Sequence, residues 1–124
     1  MKIRAIIKRP DEAIGHVTNV SNTLENLQRT VGGYIETVTF RSTATKEKSF
    51  VVICDEEGRL KGEEYCCTVD ARRTYAIGYP VEFVGTIVVL GINGDEFADC
   101  PISRKLWAEL IKPREEQDVR EVYK

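Results

Sequence analysis

Between Leu24 and Phe40 the spacing of apolar residues changes from the helical period to the strand period. Leu24, Leu27 and Val31 fall on one helical face, with Glu25, Gln28 and Arg29 on the other. Asn22 followed by Glu25 has the form of a capping box with Asn in the usual Ser or Thr place, so it predicts the helix start. Gly32 or Gly33 can take the left-handed conformation that ends a helix without a Cβ clash. Tyr34 to Phe40 then alternates, with Tyr34, Val38 and Phe40 on one side and Thr37 and Thr39 on the other.

The same reading extends along the chain. Lys2 to Lys8 sets Ile3, Ala5 and Ile7 against Arg4 and Lys8, with Ile6 the exception, which predicts a strand with one face in the core. Arg9-Pro10-Asp11 breaks it, and His16 to Val20 returns as a second strand. After a polar loop over 41–48, Phe50 to Cys54 is apolar at both parities and predicts a central strand covered on both faces. Asp55-Glu56-Glu57-Gly58 reads as a solvated turn, 60–80 as irregular chain, and Val81 to Gly91 as strand around Ile87-Val88-Val89-Leu90. Asn93-Gly94-Asp95 is a turn. A last helix is predicted after Asp99 or Cys100, with Pro101 at its first position. It carries Ile102, Leu106, Trp107, Leu110 and Ile111, and Pro113 stops it.

These elements predict an α+β fold: a mixed, mostly antiparallel sheet of about five strands, one helix packed across a face, and a C-terminal helix. A single domain over 1–112 is expected, followed by a charged tail over 113–124.

Composition narrows the partners. Among 124 residues the charged share is 31% and the net charge −2, which supplies no global attraction for nucleic acid or an anionic membrane. No apolar run is long enough to span a bilayer. The opening MKIRAIIKRP is broken by Arg4 and Lys8 and reads as a strand rather than a signal peptide. Cys54, Cys66, Cys67 and Cys100 form no CxxC pair and His16 is the only histidine, so neither a metal site nor a cofactor is expected. Reduced thiols in a cytoplasmic setting fit the lack of an export signal.

No phosphate loop, dinucleotide fingerprint or nucleophile elbow occurs, so no catalytic residue is assigned and a non-enzyme is expected. One segment suits binding. Tyr65, Tyr75 and Tyr79 lie close in sequence to Arg72, Arg73 and Lys61. Tyrosine faces stack on planar rings and arginine forks match phosphate oxygens, which together suit a small anionic, nucleotide-like ligand. The plainer alternative is a loop whose tyrosines pack on the sheet while both arginines sit in water. Vicinal Cys66-Cys67 could mark a reactive thiol, but the sequence fixes no positive group beside it.

MKIRAIIKRP, TLENLQRTVGGYIETV, VVICDEEGRLKG and GTIVVLG together resemble an uncharacterised family catalogued as domain of unknown function 3846, over about residues 1–98. The resemblance implies a small single-domain protein of a kind common in bacteriophages and bacterial mobile elements, with no catalytic residue to carry over. After Lys61-Gly62 the family usually continues with a short proline- and asparagine-containing segment ending in arginine. This chain has EEYCCTVDARRTYAIGYP instead, so Arg72 or Arg73 falls in the equivalent place.

The function expected from these readings is non-catalytic: an anti-defence protein in the bacterial host cytosol that sequesters a small nucleotide-like signal. Homo-oligomerisation would help by closing the pocket between subunits. The alternatives are an inhibitor or regulator of a host protein, acting through a sheet edge or the tail, and a small metal-dependent hydrolase or nuclease.

Overall fold

The structure is a computed structural model that describes residues 1–112; the expected charged tail, 113–124, and the helix stop at Pro113 lie outside the described residues. The strands are β1 (Lys2–Lys8), β2 (His16–Ser21), β3 (Ile35–Phe40), β4 (Phe50–Asp55), β5 (Tyr65–Val69), β6 (Val81–Val84), β7 (Ile87–Asn93), β8 (Glu96–Ala98) and β9 (Ile111–Lys112). The helices are α1 (Leu24–Val31) and α2 (Arg104–Leu110). The main sheet has the order β2-β1-β7-β4-β3 with β8 paired to β7, and a second sheet has the order β6-β5-β9. Every described ladder is antiparallel. The fold is α+β and dominated by sheet. No helix among the described residues is long and apolar enough to cross a membrane.

Parity along β1, β4 and β7 divides the core in two. Ile3, Ala5, Ile7, Val51, Ile53, Val88 and Leu90 point to the face that Leu27 and Val31 of α1 cover. Ile6, Val52, Cys54, Ile87 and Val89 point to the other, where the second sheet and Trp107 and Leu110 of α2 pack. Ile6 is thus no exception: it belongs to a second buried face of β1. Lys8, on the same parity, is buried as well rather than facing water.

Several sequence expectations shift for identifiable reasons. The cap of α1 is Thr23, whose Oγ1 accepts the Asn26 N–H at 3.1 Å, because the Asn22 amide donates instead to the Phe97 carbonyl. Leu24 stands exposed in the first turn rather than joining Leu27 and Val31. Gly32, at φ +93°, is the left-handed residue that ends α1. Gly33 serves close approach instead: a Cβ there would sit 2.6 Å from Asp55 Oδ1. The C-terminal helix starts after Ser103, not at Pro101. The Arg4 carbonyl accepts the Cys100 N–H and the Arg4 guanidinium donates to the carbonyls of Cys100 and Ile102, holding that stretch along β1.

The span 60–80 contains β5, and the strand-like run after it splits into β6 and β7 at Gly85, at φ +72°. The Trp107 indole N–H reaches the Ile14 carbonyl at 2.9 Å and Arg104 Nε the Gly15 carbonyl at 2.9 Å, which ties α2 to the β1–β2 connection.

Candidate functional site

The segment after β5 is pinned by a buried tyrosine. Tyr75 is 4% exposed, meets Phe50 edge-on at 5.1 Å, and donates its hydroxyl proton to the Lys48 carbonyl at 3.1 Å. The Asp70 N–H reaches the Leu110 carbonyl and the Tyr75 N–H the Ala71 carbonyl, so 71–75 folds into a turn beside α2. Arg72, Arg73 and Thr74 therefore project outward. With Leu106, Glu109, Leu110 and Lys112 they line a cleft of about 660 Å³. Arg72 grips Asp70 with both prongs, at 2.9 and 2.8 Å, which holds the Asp70 carboxyl below its usual range. Arg73 is exposed, and no ion pair joins it to another described residue.

The other four expected ligand residues lie apart from this cleft's lining. Tyr75 belongs to the core, through the very burial that sets the turn. Tyr65 is half-buried, hydrogen-bonded to Thr68 Oγ1, and lines a different cleft with Lys8, Cys66 and Cys67. Tyr79 is 64% exposed, ahead of β6. Lys61 is committed elsewhere: its ammonium donates to Asp55 Oδ2 at 2.7 Å and to the Gly32 carbonyl at 3.0 Å. The structure thus brings Arg72 and Arg73 together and adds Lys112 to them. No local signal marked Lys112, since it is placed by the pairing of β9 with β5.

A second cluster joins the stretches TLENLQRTVGGYIETV and VVICDEEGRLKG. Asp55 is 5% exposed, not a solvated turn residue, and also accepts the Glu57 N–H at 2.9 Å. Burial works against its carboxylate, yet the bonds from Lys61 and Glu57 hold it below the usual range. Glu63 shares a hydrogen bond with Asp55 and lies so near Gly85 that a Cβ there would stand 2.9 Å from Glu63 Oε2. Burial first, then the Asp55 charge, pushes the Glu63 carboxyl up. The arrangement closes the end of α1 onto the β4–β5 connection.

The two carboxyls should act on stability with opposite signs. Glu63 binds its proton more tightly when folded, so its contribution is whole below about pH 4.3 and fades as pH rises through the folded value. Asp55 releases its proton more readily when folded, so its contribution is whole above about pH 3.9 and fades as pH falls. Glu63→Gln should remove the decline on the upper side and leave the acid side in place. Urea midpoints across pH check this, and a variant profile that tracks the parent would discard Glu63 as the group that holds its proton in the fold.

Among the described residues, no group of three or more His, Cys, Asp or Glu is placed to hold a metal ion. Comparison with known proteins gives one family: the model described as "Domain of unknown function (DUF3846)" matches residues 1–112. No curated protein and no solved structure matches.

Proposed function

On the premise that the chain belongs to the family Domain of unknown function (DUF3846), whose description names no activity, we propose that it is a non-enzymatic binder of a small phosphate-bearing anion of the nucleotide class. The observation that carries this reading is the cleft of about 660 Å³ bordered by Arg72, Arg73 and Lys112. Its size falls among those of small-molecule sites. Three cations face two carboxylates there, Asp70 and Glu109, leaving a net positive edge. A phosphate would take Arg73 directly and compete with Asp70 for the Arg72 fork. Leu106 and Leu110 offer the apolar wall against which a base could lie. Stacking by tyrosine, expected from sequence, is not part of the reading now that Tyr75 serves the core.

In a bacteriophage or other mobile element, such a protein would withdraw a nucleotide signal of the host in the host cytosol. A second copy closing over the cleft would complete the ligand's burial.

Titration calorimetry with cyclic and linear nucleotides and with inorganic phosphate tests the reading. Binding is expected to weaken about tenfold or more in Arg73→Ala and in Lys112→Ala, as loss of a charge-assisted contact requires, and to weaken with added salt. Absence of heat with every compound, or affinity indifferent to both substitutions, would refute it. A regulator that adds a partner's strand to the sheet would then be favoured, because β3 pairs only with β4 among the described elements and leaves an edge open.

A further inference from the structure

The cleft that Tyr65 borders, about 560 Å³, has a buried lysine and two adjacent thiols in its lining. Lys8 is 2% exposed. Its Nζ donates to the Cys66 carbonyl at 2.9 Å and the Arg9 carbonyl at 3.2 Å, and stands 3.8 Å from Cys66 Sγ. No carboxylate of the described residues forms an ion pair with it. A buried ammonium without a counter-charge is costly, and Cys66 Sγ is an ionisable atom within its reach.

Strand geometry brings the second thiol in. Tyr65 pairs with Val84 but Cys67 with Phe83, so Cys66 is the extra residue of a bulge. The interrupted alternation lets both thiols line one cleft, and Cys67 hydrogen-bonds to Cys66. That bond first, and the Lys8 charge after burial is overcome, draw the Cys66 thiol below its ordinary range. Of the other groups around it, Glu12 pushes the opposite way as the least of these influences, while Asp11, Tyr65 and Lys112 line the cleft beyond. Burial pushes Cys54 up to about 11 and raises Cys100 as well.

We propose that Cys66 is a nucleophilic thiolate paired with the Lys8 ammonium, and that its cleft is a modification site for small, uncharged, soft electrophiles. The sulfur lone pair forms a bond to the electrophilic carbon, and the leaving group departs with the electron pair of the bond that breaks. The thiol proton, which faces the Lys8 carbonyl 3.6 Å from the sulfur, is released to water as the thiolate forms, and no electron need come from elsewhere. This cleft shares Lys112 with the arginine cleft, but the alkylation of Cys66 does not depend on ligand binding there.

Iodoacetamide is the probe, with the alkylated residue mapped by peptide mass and the rate followed against pH. The first adduct is expected on Cys66, with a rate midpoint below that of free cysteine, about 8.5. Lys8→Met should move the midpoint up and slow the reaction near neutral pH by about tenfold, the change one pKa unit produces. Cys66→Ser should leave the folded protein unalkylated over the same exposure. Cys67→Ala also moves the midpoint up, which keeps the test available if Lys8→Met does not fold. A first adduct on Cys54, Cys67 or Cys100, a parent midpoint at or above that of free cysteine, or a folded Lys8→Met with an unchanged profile would overturn the proposal.

Discussion

Tyr75→Ala is expected to lower the unfolding free energy by about 4 kcal/mol, the scale of emptying a large aromatic from a packed core. The ring lies edge-on to Phe50, which stacks on Phe40 at 4.8 Å and meets Trp107 at 6.4 Å, so its removal opens a void beside the ring at the centre of this aromatic cluster. The turn it anchors carries Arg72 and Arg73, so the cleft should lose its shape along with the stability. Tyr75→Phe keeps the ring and forfeits only the hydroxyl's bond to the Lys48 carbonyl, about 1 kcal/mol. Urea midpoints for the pair of variants measure both losses. Were alanine to leave the midpoint unmoved while abolishing ligand binding, Tyr75 would be a contact residue after all and its core assignment wrong.

Asp55→Ala should cost about 3 kcal/mol, because the side chain is nearly inaccessible and its removal strands the groups it satisfies. The Glu57 N–H loses its acceptor, Glu63 loses the partner of its hydrogen bond, and Lys61 keeps only the Gly32 carbonyl. Lys61 reaches solvent and can rehydrate, so the loss lies chiefly with the buried groups. Lys61→Met is expected to lose a comparable amount at neutral pH, because it leaves the buried Asp55 carboxylate without its counter-charge, and thermal unfolding of the two variants checks this. A Lys61→Met variant as stable as the parent would mean that the Glu57 N–H alone suffices to hold the buried carboxylate.

What the chain spelled out in advance was whatever repeats at short range. The alternation in β1 and β3, the doubly apolar run of β4 and the Leu27–Val31 spacing of α1 each follow from one residue's neighbours in sequence. Where two local signals competed, distant bonds chose between them. Pro101 and Ser103 both suit a helix start, and Arg4 decides for Ser103 by holding the carbonyls of Cys100 and Ile102 outside the helix. β5 reads as β-forming in its own composition, but the partner that orders its far edge is a two-residue strand with no pattern of its own. For the candidate site, an aromatic in a polar segment can face ligand or core, and nothing nearby in sequence distinguishes Tyr75 from Tyr79. Lys8 shows the same limit, since its burial follows from the layer laid over Ile6, which the local alternation does not reveal.

The position of β7 between β1 and β4 governs when this protein can assemble on the ribosome. A nascent chain that has emerged only as far as β6 holds two hairpin-like halves, β1–β2 and β3–β4, with no strand to bridge them. The bridging ladders link Ile6 to Val89 and Val52 to Val89, contacts that close over long stretches of chain. Synthesis must therefore pass residue 93 before the main sheet can zip up, and the earlier segments wait with apolar faces uncovered.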